Sequence, residues 1–363
     1  MKKFSFNKQS FLILLLPLGI IFSQISTMFP NYIETFYSSF FYKIIANILS
    51  WITGSLPFSF AELIIVSFII FILWYVLKTI FNLLKGKNRR LEISKNFILN
   101  MLAISGLIYF SFQLLWGFNY QRLTLDKIFQ LNVRTSSSKE LAGLCEILVN
   151  KSNTIRTKIK ENQFGVMELP YNKKYILKTA QLGYDSASLK YPKLKGNYGT
   201  PKGILLSIPM CYTGITGFYF PFTSEANINM AEPACFLPFT TTHEMAHQRG
   251  FAKEDEANYI AYIACINHLD INFQYSGTLT ALSYSFNALQ KSDSQKYSEL
   301  ILTCSNGVLN DLRYNQFFWN QYSGPIEKIN DKINDTYLKS QNQQSGTKSY
   351  GAMVDLLLAE YRK

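Results

Sequence analysis

Three runs of apolar residues dominate the first third of the chain. The first, "FLILLLPLGIIFSQI" (residues 11–25), follows the basic start "MKKFSFNK"; no small-x-small cleavage site follows it, which favours an uncleaved membrane helix over a signal peptide. The second (60–84, "FAELIIVSFIIFILWYVLKTIFNLL") and the third (97–118, "FILNMLAISGLIYFSFQLLWGF") are each long enough to span a bilayer, with Trp116 placed as an interfacial anchor. Between the first two runs, "YIETFYSSFFYKIIANILSWITGSLPFSF" is apolar but interrupted, and predicts an interfacial or re-entrant helix pair rather than a crossing. The pattern after residue 118 changes to mixed polarity. Ser137 and Glu140 form a capping-box pattern that predicts a helix start. The stretch 203–230 is β-branched and aromatic, and Pro209, Gly214, Gly217 and Pro221 break any helix there; it predicts strands and a turn.

Charge sets the expected orientation. Lys2, Lys3 and Lys8 precede the first run, and Lys85, Lys87, Arg89, Arg90 and Lys95 lie between the second and third. Positive-inside logic puts both groups in the cytoplasm and everything after the third run outside. The expectation is a multi-pass protein of a bacterial cytoplasmic (inner) membrane, with residues 1–118 as its anchor in the lipid bilayer and 119–363 as an extracytoplasmic domain. The net charge of +12 does not suggest nucleic acid, because basic and aromatic residues are not interleaved. The five cysteines have no C-x-x-C spacing and read as small buried hydrophobes.

Candidate chemistry lies in "TTHEMAHQRGFAKEDEANYIAY" (241–262). The chain has only three histidines, and His243 and His247 are one helical turn apart with Glu244 between them. This H-E-x-x-H spacing suits one Zn²⁺ bound by two imidazoles, with Glu244 as general base. Gly250 can take the left-handed conformation that ends a helix, and a second helix is expected from about Lys253. Glu254, Asp255 and Glu256 suit the positive end of that helix as well as a metal. Glu254 and Asn258 share a face, so Glu254 is the expected third ligand, with Asn258 orienting it; Glu256 remains a competitor. Glu225 and Glu232 are nearby acids; either could assist in the site, though a loop acid is usually just solvated. His268 follows Glu254 by fourteen residues, too far along one helix to join the site. Tyr219 and Tyr350 are candidates to donate to a developing oxyanion.

H-E-x-x-H followed by E-x-x-x-(D/N) at the start of a later helix resembles the gluzincin pattern of zinc metallopeptidases. That resemblance implies an α+β, zincin-like fold, an edge strand beside the motif helix that pairs with an extended protein or peptide substrate, and His243, His247 and Glu254 on zinc. The chain departs from most gluzincins in the short link between His247 and Glu254. Over nearly its whole length it also resembles the bacterial domain-of-unknown-function family 3810, in "WGFNYQR", "GFYFPFTSEANIN", "HEMAHQRGFAKEDEAN" and "NDTYLKSQNQQSGTKSYGAMVDLL". The expected activity is that of a membrane-anchored zinc metalloendopeptidase acting on envelope proteins or peptides. The alternative is a catalytically inactive metal-binding scaffold, which would not need Glu244.

Overall fold

The computed structural model describes residues 8–340 and 353–362. Three helices, Lys8–Ser26, Phe60–Lys85 and the 87–115 stretch, are long and apolar enough to cross a membrane. They are not core helices of a soluble protein, since only 22%, 6% and 17% of their most apolar windows are buried. Side chains that alternate between neighbours fix their directions. Gln9 donates to Asn100 at 2.9 Å, and Gly106 lies against the backbone of Leu12, so the first and third helices run parallel. Asn100 also donates to Tyr75 at 2.8 Å, which makes the second helix antiparallel to both. Ser26, Phe60 and Leu115 therefore lie at one end of the bundle.

The segment between the first two apolar helices is one continuous helix over 30–54, not a pair. Its residues Ile33–Phe41 are π-helical, and the Tyr42 N–H reaches the Tyr37 carbonyl. It packs against the same end of the bundle, with the Tyr37 hydroxyl on the Leu114 carbonyl at 2.8 Å. The second apolar helix begins at a strong cap. The Ser59 hydroxyl accepts from Glu62 N–H, while the Glu225 carboxylate accepts from Phe60 N–H (3.1 Å) and Ala61 N–H (2.7 Å), covering orphan donors at the positive helix end.

The expectation of an α+β architecture needs correction: the structure is 71% helix and 4% strand. Its one sheet among the described residues has the order β1 (Lys202–Gly203), β3 (Glu225–Ile228), β2 (Gly217–Phe220). β1 pairs parallel with β3, and β2 pairs antiparallel with it, leaving β2 at an edge. The strands are short because the β-like stretch also holds a one-turn helix, Ser207–Cys211, which accommodates Pro209. The capping box is present at Ser137 and Glu140, opening the helix Ser138–Arg156. Lys174–Ala187 and Ile271–Ser292 pack on the central pair Leu237–Gln248 and Glu254–Ile266, and Ser138–Arg156 packs on Ile271–Ser292 from outside; their apolar faces join one large core. A second, smaller core joins Tyr37, Tyr42, Trp116 and Tyr120 to Tyr198 and Ala252. All five cysteines are free and buried.

Candidate metal centre

The helix Leu237–Gln248 carries the motif, and Gly250, at φ +82°, turns the chain back. Glu254 is the first residue of the next helix, Glu254–Ile266. This tight return brings the short H-E-x-x-H…E link to a point. His243 Nε2 lies 3.1 Å from His247 Nε2 and 3.2 Å from Glu254 Oε2, and His247 Nε2 is 3.7 Å from Glu254 Oε1. His247 Nδ1 is 2.7 Å from the Phe251 carbonyl, which can only accept; Nδ1 therefore carries a proton, and Nε2 is the ring atom turned inward, where a cation could replace a second proton. Glu256, the competing acid, is turned away and accepts from Leu125 N–H at 3.1 Å.

Does this donor set fit zinc? Tetrahedral bonds of about 2.0–2.1 Å place neighbouring donors roughly 3.3 Å apart, and the three observed separations bracket that value. Burial lowers the affinity of His247 for a proton, yet the Glu254 carboxylate beside it raises its pKa to about 9. Burial alone would raise the Glu254 carboxyl, but the imidazoles hold it well below the usual carboxylate range. A field that holds a proton there favours a metal cation for the same reason. His243, His247 and Glu254 fit the ion.

The centre opens into a cleft of about 880 Å³. Five residues lining it, Glu232, His243, Glu244, Asn258 and Asn315, each hold a buried polar atom with no hydrogen-bond partner. Buried polar groups are normally paired, so a concentration of orphans in one cleft marks a place for a ligand. Glu244 lies against β2: a Cβ on Gly217 would come within 2.8 Å of its carboxylate, and the Tyr219 backbone hydrogen-bonds it. Burial raises its pKa, against the pull of both histidines.

Other expected residues fall in different places. Tyr219 lines the cleft, but its hydroxyl is engaged by Tyr42 at 3.0 Å and Ser224 at 3.2 Å, and its ring stacks at 4.7 Å on Trp116. Asn258 is on the cleft wall one turn beyond Glu254, its Nδ2 unpartnered. Tyr350 lies outside the described residues. Glu225 and Glu232 are buried rather than solvated; Glu225 caps the second apolar helix, while Glu232 accepts from Thr240 at 2.9 Å and burial pushes it up to about 8. His268 is structural, bonded to the Thr179 carbonyl and Asp270 N–H and stacked at 3.9 Å on Phe273.

Tyr284 is a cleft residue without a sequence signal. It sits against Asn258, where burial and then the Glu254 charge push its phenol above the ordinary range. Trp116, Tyr120 and Trp319 also line the cleft from distant parts of the chain. Arg249 fixes the end of the motif helix. It donates to the carbonyls of Leu194 (3.0 Å), Met245 (2.9 Å) and Gly196 (3.0 Å) and to Gln181 (2.8 Å), with Tyr184 stacked at 3.6 Å.

No curated protein and no solved structure matches the chain. A family match extends over residues 37–358, from the helix beneath the metal centre to the last described helix, Met353–Tyr361. The chain thus belongs to the family described as protein of unknown function (DUF3810).

Proposed function

We propose that this chain is a membrane-tethered, zinc-dependent peptidase of zincin-like organisation, acting on envelope proteins or peptides. The observation that carries the reading is the convergence of His243, His247 and Glu254 at one end of a cleft, with the Oε2 atom of Glu244 unpartnered beside them. Zinc held there would supply a Lewis acid and bring the pKa of an attached water to about 7. Glu244 takes the proton from the attacking water at Oε2 and returns it to the leaving amine. β2 is an edge strand and lines the cleft at Gly217–Tyr219, so an extended substrate would pair with the main-chain groups that Glu244 leaves open there. Tyr284, beside Asn258, is better placed than Tyr219 to donate to the developing oxyanion, because the Tyr219 hydroxyl is already engaged. The basic residues between Lys85 and Lys95 support three crossings of a bacterial cytoplasmic membrane, with the metal centre outside.

Glu244→Gln tests the reading. Turnover of a peptide substrate should fall by about 100- to 10,000-fold, the usual worth of a general base, while zinc content stays at the parent level. A variant with undiminished turnover sinks the assignment of Glu244. A protein that binds zinc and cuts no peptide is the metal-binding scaffold instead.

A further inference from the structure

Two apolar surfaces sit where the fold leaves them uncovered. The helix over 30–54 is joined at both ends to the same end of the bundle, after Ser26 and before Phe60; Tyr37 holds it on Leu114, and Ser59, just past it, is held by Asn227 of β3. It therefore lies across that end and cannot be a further crossing. On its outer side Phe36, Phe40, Ile44, Ile48 and Trp51 follow one another at intervals of three or four, and Trp51 is 81% exposed. Its other side, with Glu34, Tyr42, Ala46 and Thr53, is buried. The second surface is the loop after β1, where Leu205, Leu206 and Ile208 are exposed. The Glu62 carboxylate holds this loop beside the first turn of the second apolar helix, accepting from Leu205 N–H (3.0 Å) and Leu206 N–H (2.8 Å). An apolar stripe continuous with three bilayer-length helices belongs in the membrane interface, its occupant being lipid.

The buried side of the same helix forms the floor of the metal centre. The Tyr42 hydroxyl is 3.2 Å from the His247 carbonyl and 3.0 Å from that of Gln248. One helix diameter, ~10–12 Å, thus separates His247 from the lipid-facing stripe. Trp116 and Tyr120, just beyond the third apolar helix, line the cleft directly. Resting on the peptidase reading, the geometry points to a substrate class: polypeptides that carry their own membrane anchor, cut close to the bilayer. An extended chain covers ~10–12 Å in about three to four residues, which sets the distance of the cut from the membrane surface.

The test uses full-length, zinc-loaded protein in phosphatidylethanolamine–phosphatidylglycerol liposomes. One mixed-sequence peptide is supplied free and with a palmitoyl group at one end, and cut positions are mapped by mass spectrometry. The anchored peptide should be consumed at least ~10-fold faster at equal total concentration, because confinement to the bilayer raises its local concentration. Its cuts should crowd toward the acylated end, and Glu244→Gln should remove them. Equal rates for the two peptides, with cuts spread along the anchored one, overturn the inference and leave the peptidase reading standing. No cut in either peptide overturns the peptidase reading itself, and the inference falls with it.

Discussion

Two helices invert the ordinary relation between polarity and burial. Phe60–Lys85 has the highest mean hydropathy of the three candidate spans, at 2.6, yet Ala61 is its only buried residue. Leu237–Gln248 carries three threonines, two histidines, Glu244 and Gln248, yet every residue except His243 is buried. The first arrangement is stable only where lipid replaces water around the apolar face. The second is stable only if its polar groups find partners inside. Most do: Thr241 and Thr242 bond back to carbonyls one turn earlier, and Gln248 donates to the carbonyls of Tyr198 and Ser224, both at 3.0 Å. Of the three atoms left over, on His243, Glu244 and Gln248, the first two belong to residues that line the cleft. Departures from the expected pattern thus separate a solvent requirement from a functional one.

The contrast breaks most sharply at the metal. Glu254→Ala should weaken zinc binding by more than the ~10–100-fold typical of outer partners. Glu256→Ala should leave zinc in place, because that carboxylate serves Leu125. Metal analysis of both purified variants decides it, and equal retention would remove the reason for burying so polar a helix. Next in size is Arg249→Ala. It strands the carbonyls of Leu194 and Met245 and removes the ring contact with Tyr184, so unfolding should become easier by about 3 kcal/mol, read by denaturant titration in detergent.

Glu232→Gln sharpens the comparison through pH. The folded chain keeps a proton on Glu232 up to about pH 8, whereas the unfolded chain releases it near 4.5. The parent therefore loses stability as pH rises through that window, and the glutamine variant does not. Its advantage should grow from pH 4.5 to 8 and then level off, reaching at most roughly 5 kcal/mol. Melting temperatures across that range test the sign; a constant difference would refute it. The smallest effect is expected at Leu73→Ala, on the exposed face of the second apolar helix: within ~0.5 kcal/mol, by the same unfolding measurement.

The parts legible in the sequence are those set by near neighbours. The spacing of His243, His247 and Glu254 and the Ser137–Glu140 cap each depend on one or two turns of helix. The apolar runs were legible because bilayer thickness imposes a length. What the sequence withheld is set by distance along the chain. Nothing near Trp116, Tyr120 or Tyr284 connects them to a motif more than twenty residues away. The sheet was overestimated because β-branched composition over 203–230 does not say how many of its residues find a ladder partner, and β1 has only two. The helix over 30–54 looked interrupted because its buried face is polar and its outer face apolar, which no single hydropathy average resolves.

The floor of the candidate metal centre has a consequence for the order of biosynthesis. Tyr42 meets carbonyls 205 and 206 positions later in the chain, and Arg122 reaches the Gly250 carbonyl 128 positions on. Loop closures of that length come late in folding, so the N-terminal helices must be in place before the centre assembles. A fragment beginning at residue 119 would be made without Tyr42 and Trp116. It would keep all three candidate ligands and lose the surface on which His247 rests. A ribosome that has finished the anchor has thus already laid the foundation of the site, long before the first histidine leaves the exit tunnel.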